Sequence, residues 1–160
     1  MFKSTLFALA FTVASIGFAA EHAPAVVYLR TDPTPVARLF VHEKTAFEFR
    51  QIDNAAFTAP VPTKMAALDV PASIRSDRKE HHVEVGIVIS DRGQVLDTAI
   101  VSSNSKALEA AARSMAKQFR FRPATLDGKP VATYAVLPAT YRYIDPAELA
   151  KTLSGDAAKK

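Results

Sequence analysis

His82-Val-Glu-Val-Gly-Ile-Val-Ile-Ser90, then Asp91-Arg92-Gly93, then Gln94-Val-Leu-Asp-Thr-Ala-Ile-Val-Ser-Ser103 sets the architecture of this chain. Val83, Val85, Ile87 and Ile89 alternate with His82, Glu84, Gly86 and Ser90, the period of a strand with one buried face. Asp91-Arg92-Gly93 interrupts the pattern, and Gly93 can take the positive φ of a short hairpin turn. The chain is therefore expected to reverse and run back as a second strand over residues 94–103.

The period then changes. Ser102-Ser103-Asn104-Ser105 can cap a helix, and Leu108, Ala111, Ala112, Met115 and Phe119 form one apolar stripe with Glu109, Arg113, Lys117 and Arg120 largely off it. That stripe needs the sheet face the hairpin provides. Pro123 is expected to end the helix, residues 125–130 to form a turn-rich link, and residues 131–144 to form a long last strand. The predicted fold class is α+β, a small antiparallel three-stranded sheet covered by a helix in the order β-β-α-β.

The pieces Asp91-Arg92-Gly93-Gln94-Val95, Val101-Ser102-Ser103, Leu108-Glu109-Ala110-Ala111-Ala112, Phe119-Arg120-Phe121-Arg122-Pro123-Ala124 and Asp127-Gly128-Lys129-Pro130-Val131 together resemble the C-terminal domain of TonB-family proteins. Val70-Pro71 matches the family's entry into the first strand only in its proline. His81 stands where the family usually has glycine, Glu109 replaces an aspartate, and Phe119 replaces a tryptophan. The TolA C-terminal domain has a related architecture, but the last two motifs lean toward TonB.

Three-stranded sheets of this kind leave a strand edge whose N–H and C=O groups can accept another chain. The resemblance implies that use: a short extended segment of an outer-membrane receptor or other envelope protein pairs beside the final strand. Carried onto this sequence, the peptide-binding strand comprises Thr133, Tyr134, Ala135, Val136, Leu137, Thr140, Tyr141 and Tyr143. Pro138 lacks a donor and suits an edge or a bulge. The resemblance also implies a role in TonB-dependent transport across the membrane. The alternatives are a soluble periplasmic adaptor and a strand-exchanged homodimer that closes the same edge.

With 160 residues, 49% of them hydrophobic and 22% charged, there is room for one domain plus tails. Residues 1–19 read as a signal peptide: Lys3, an apolar run from Leu6 to Ala19, and small residues Gly17 and Ala19 at the cleavage positions. The expected location is the periplasm, with an inner-membrane anchor by an uncleaved leader as the alternative. Losing Lys3 with the leader takes the formal charge from +4 to +3, mild basicity that suits acidic peptides or envelope surfaces better than nucleic acid. The chain contains no cysteine, so packing must supply its stability.

Residues 20–69 read as a tether, with Pro24, Pro33 and Pro35 discouraging regular structure and residues 36–41 and 45–52 forming an extra hairpin. Phe40, Phe47, Phe49 and Phe57 are expected to pack onto the main domain, with ligand binding as the alternative. Residues 54–70, with Pro60 and Pro62, read as a linker followed by a short helix or extended entry segment at Met65-Ala66-Ala67-Leu68, and are less proline-rich than the stiff spacer of an energy-transducing TonB. The domain itself is expected over residues 70–145, followed by a short helix and polar tail over 146–160.

No enzymatic constellation emerges. His81 and His82 are adjacent on a strand and point to opposite faces, which disfavours a shared metal. Ser102, Ser103 and Ser105 lack a histidine at motif spacing, and the single glycine of Asp127-Gly128 is a turn residue rather than a phosphate cradle. The reading is of a non-enzymatic module without cofactor or metal.

Overall fold

The computed structural model describes residues 24–40, 47–53 and 56–150; the expected leader and the end of the polar tail lie outside them. Its elements are β1 (Ala25–Leu29), α1 (Pro33–Leu39), β2 (Phe47–Gln51), β3 (Phe57–Thr58), β4 (Val61–Lys64), a 3-10 turn (Ala72–Ile74), β5 (Glu80–Ile89), β6 (Val95–Ser103), α2 (Lys106–Gln118), β7 (Arg120–Arg122), β8 (Ala124–Leu126) and β9 (Lys129–Arg142). Residues 146–150 add a helical turn. The main sheet runs in the order β2-β1-β9-β5-β6, with β8 pairing β9 and β3 pairing β8; β4 and β7 form a separate ribbon.

The antiparallel trio β9-β5-β6 under α2 is the expected β-β-α-β unit. Gly86 pairs with Ala99 on β6 and with Val136 on β9. At the hairpin turn Gly93 has φ 76°, Gly93 N donates to Ser90 O (3.0 Å) and Ser90 N to Gln94 O (2.8 Å). Val83, Val85, Ile87 and Ile89 are fully buried against Leu108, Ala112, Met115 and Ala116 of α2. Complete burial of each such aliphatic side chain contributes about 1.5–3 kcal/mol.

The helix ends before the expected stop at Pro123. Its cap is Phe119, already extended at ψ 150°, because Phe119 and Phe121 both turn into the core and stack with ring centroids 6.1 Å apart. Phe121 N then donates to Gly93 O at 2.8 Å, tying β7 to the hairpin turn. Residues 125–130 are likewise more than a link. Asp127 (φ 51°) and Gly128 (φ 76°) form a two-residue turn between β8 and β9, with Leu126 opposite Lys129.

The largest departure lies in residues 25–40 and 47–52, where β1, α1 and β2 form a parallel β-α-β unit in place of the expected tether and hairpin strands; the turn of the expected hairpin, residues 42–44, lies outside the described residues. Ala25 to Leu29 pair in parallel with Phe47 to Gln51, and Val27 and Tyr28 pair in parallel with Ala132 and Thr133. Pro33 and Pro35 do not oppose α1. They occupy its first turn, where backbone N–H groups have no intrahelical partner, and Asp32 caps that turn by accepting Thr34 N at 2.9 Å. This hydrogen bond holds the Asp32 carboxyl below its usual range.

α1 covers the sheet face opposite α2. Val27, Leu29, Val36, Phe40, Val88 and Ala99 form a second core, with Phe47, Phe49 and Tyr134 packed against it. β5 is therefore covered on both faces, which explains why Val88 is as completely buried as Ile87 and Ile89. Residues 57–64, expected as linker, run antiparallel beside residues 120–126 as β3 and β4. Among the described residues no helix is long and apolar enough to cross a membrane.

Candidate functional site

β9 has fourteen residues and two kinds of neighbour. On one side it pairs with β5 without a break, from Ile89↔Thr133 to Glu80↔Arg142. Its other ladder partners stop early: β8 reaches Val131, and β1 reaches Thr133. From Tyr134 to Arg142, no second strand among the described residues pairs with β9. In an antiparallel ladder alternate residues direct both N–H and C=O to one side, so this stretch offers a row of donors and acceptors, less the one missing at Pro138.

The residues expected to form the binding strand fall into two groups. Thr133 is a correction: it lies between Ile89 and Tyr28, is 1% exposed, and its hydroxyl donates to Tyr28 O at 2.7 Å. It is an interior residue because β1, read in sequence as tether, joins the sheet there. Tyr134, Ala135, Val136, Leu137, Thr140 and Tyr141 all lie on the stretch with one ladder partner. Tyr143 lies just past the end of β9, in a cleft of about 300 Å³ with Arg78, Arg142 and Glu148.

Side chains alternate along this edge. Ala135, Leu137, Ala139 and Tyr141 face the α2 core, and Tyr134 faces the α1 core. Tyr134 meets Phe40 edge to face at 6.2 Å, and burial, followed by the charge of Glu84, raises its phenol pKa. Tyr141 donates to Arg75 O at 2.7 Å and stacks on His81. The His81 ring is buried: Nδ1 lies 2.9 Å from Ser105 Oγ, and Nε2 is 3.3 Å from Asp77 Oδ2 but without hydrogen-bond alignment. Ser105 is the N-cap residue of α2, yet its hydroxyl caps nothing and serves His81 instead. Among the described residues no three His, Cys, Asp or Glu side chains gather as metal ligands.

Where β1 leaves β9, a cleft of about 440 Å³ opens beside the free edge, lined by Leu29, Arg30, Phe57, Pro60, Tyr134 and Val136 among others. The Arg30 guanidinium sits 5.5 Å above the Phe57 ring, and Val136 is 42% exposed. Leu29, Arg30 and Pro60 were not legible as site residues, since nothing in their local pattern distinguishes them. Phe57 carried the only signal, as one of four aromatics expected to pack onto the main domain with ligand binding as the alternative. Phe40, Phe47 and Phe49 pack in the core, whereas Phe57 lines the cleft.

Residues 67–143 match the family described as Gram-negative bacterial TonB protein C-terminal. The solution NMR structure of the Pseudomonas aeruginosa TonB C-terminal domain is similar at 21% identity, covering 59% of this chain and 92% of that one, with a TM-score of 0.42. No curated protein matches. The family match begins after β4, so β1, α1, β2, β3 and β4 all precede it.

Proposed function

We propose, from the match of residues 67–143 to the TonB C-terminal family, that this protein is a non-enzymatic periplasmic module that captures an extended peptide by strand addition along Tyr134–Arg142. The partner is an outer-membrane receptor or another envelope protein, and the process served is TonB-dependent transport. The observation that carries the reading is the side of β9 that no described strand occupies between Tyr134 and Arg142. Backbone hydrogen bonds to that side supply affinity, and pockets for alternate side chains supply selectivity.

An incoming strand takes the place beside β9 that β1 vacates. Side chains on its α1 face enter the cleft bounded by Leu29, Phe57, Pro60 and Val136. Those on its α2 face lie along Ala135, Leu137 and Tyr141. Arg30, at the rim, favours a peptide carrying a carboxylate there.

Chemical-shift mapping with a panel of short receptor-derived peptides tests this. Shifts centred on residues 134–142 and reaching Leu29 and Phe57 support it, and N-methylation at alternate peptide positions abolishes them. Absence of any response overturns it. So does a dimer that persists on dilution with these amides protected from exchange, because that edge would then belong to a second copy.

A further inference from the structure

We propose that the β4–β7 ribbon is a docking surface for an anionic phospholipid bilayer, separate from the β9 edge and independent of peptide capture. In this ribbon Lys64 stands opposite Arg120, and Val61 opposite Arg122, across an antiparallel pair; all four are exposed, while Phe121 between the two arginines is buried. Directly opposed residues share a face, so Lys64, Arg120 and Arg122 leave the ribbon on the same side. Lys117, exposed in the last turn of α2, adds a fourth cation: Arg120 reaches back to donate to Lys117 O (3.1 Å) and Phe119 O (2.7 Å), joining ribbon to helix end. No ion pair among the described residues neutralises Lys64, Lys117, Arg120 or Arg122.

Large apolar side chains accompany these cations. Val61 is 42% exposed and Met65, next to Lys64, is 70% exposed. Cations alone would suit any polyanion, but cations with an exposed aliphatic side chain on their own face, Val61, and a second just past the end of the ribbon, Met65, match the layering of a bilayer surface. Lipid phosphates take up the ammonium and guanidinium groups, and the boundary of the acyl chains receives the aliphatic groups.

Co-sedimentation of residues 20–160, which hold every described element, tests this with phosphatidylglycerol–phosphatidylcholine vesicles against phosphatidylcholine alone. Binding is expected only to the anionic vesicles and is weakened by salt. The double substitution Lys64→Gln/Arg122→Gln, at two exposed positions, lowers the partition coefficient by roughly thirtyfold, on the usual contribution of each cation at such a surface. Met65→Ser weakens it further without changing the salt dependence. No binding to anionic vesicles overturns the proposal, as does binding unchanged by these substitutions. It is also overturned if the double substitution abolishes an acidic peptide's chemical shifts on the ribbon while vesicle binding stays intact.

Discussion

The phenol of Tyr134 lies across Gly86. A Cβ placed on Gly86 would stand 2.7 Å from Tyr134 Oη, 2.9 Å from its Cε2 and 3.1 Å from Val101 Cγ2. Tyr134 pairs with Val88 and Gly86 with Val136, so the ring reaches diagonally back over its neighbour on β5. Gly86→Ala is expected to destabilise the fold by about 1–3 kcal/mol, the usual cost of overpacking. In a Tyr134→Ala background the same substitution costs much less. Urea denaturation of the four proteins of this cycle measures the coupling; a coupling near zero would show that the ring does not occupy this position.

The same burial makes Tyr134 titrate late. Desolvation raises its pKa first, and the carboxylate of Glu84 adds to the shift. A raised pKa means that the folded state holds the phenol proton more tightly than the unfolded state. The associated stability is therefore fully present below pH ~10, the unfolded tyrosine value, and is lost as pH rises through the folded value. Absorbance titration should show a late component that is absent in Tyr134→Phe and shifted to lower pH in Glu84→Gln. A late component surviving in Tyr134→Phe would assign it to another residue.

Two glycines share φ 76° and differ in surroundings. A Cβ on Gly128 meets nothing within 4 Å, whereas one on Gly93 would stand 1.7 Å from the backbone oxygen of Phe121. Gly128→Ala therefore costs only the left-handed conformation, about 1–2 kcal/mol. Gly93→Ala must in addition push β7 away from the hairpin turn and break Phe121 N to Gly93 O. Thermal unfolding should show a distinctly larger loss for Gly93→Ala. Equal losses would mean that β7 yields freely.

The hairpin and helix of residues 82–118 were legible because each presents one apolar face to the other. Val83, Val85, Ile87 and Ile89 alternate on β5, and Leu108, Ala112 and Met115 recur at helical spacing on α2. Residues 25–52 were not legible. Pro33 and Pro35 read as breakers unless their place in the first turn of α1 is known, and the parallel pairing of β1 with β2 leaves no turn signature. The error propagated to the site. With residues 25–29 taken as tether, the last strand had no neighbour at Thr133, and the corner where β1 departs, which creates the cleft at Leu29 and Arg30, had no counterpart in any local pattern.

Phe40 is the residue on which the N-terminal unit is fastened. It is 4% exposed and meets the rings of Phe47 at 6.0 Å, Phe49 at 5.8 Å and Tyr134 at 6.2 Å, linking α1, β2 and β9 through one side chain. Phe40→Ala should cost about 3–5 kcal/mol, as removal of a buried aromatic does. The loss falls unevenly, because Leu108, Ala112, Met115 and Ala116 pack on the far face of β5 and do not touch this core. Hydrogen exchange of Phe40→Ala is expected to show β1 and β2 amides losing protection well before those of β5 and α2. Opening of β1 would then expose Ala132 and Thr133, lengthening the unpaired side of β9 toward the β8 hairpin. The Tyr134 phenol, released from the ring that shields it, should titrate earlier than in the unsubstituted protein. Uniform loss of protection across both cores would show instead that the β-α-β unit and the helix-covered hairpin unfold as one.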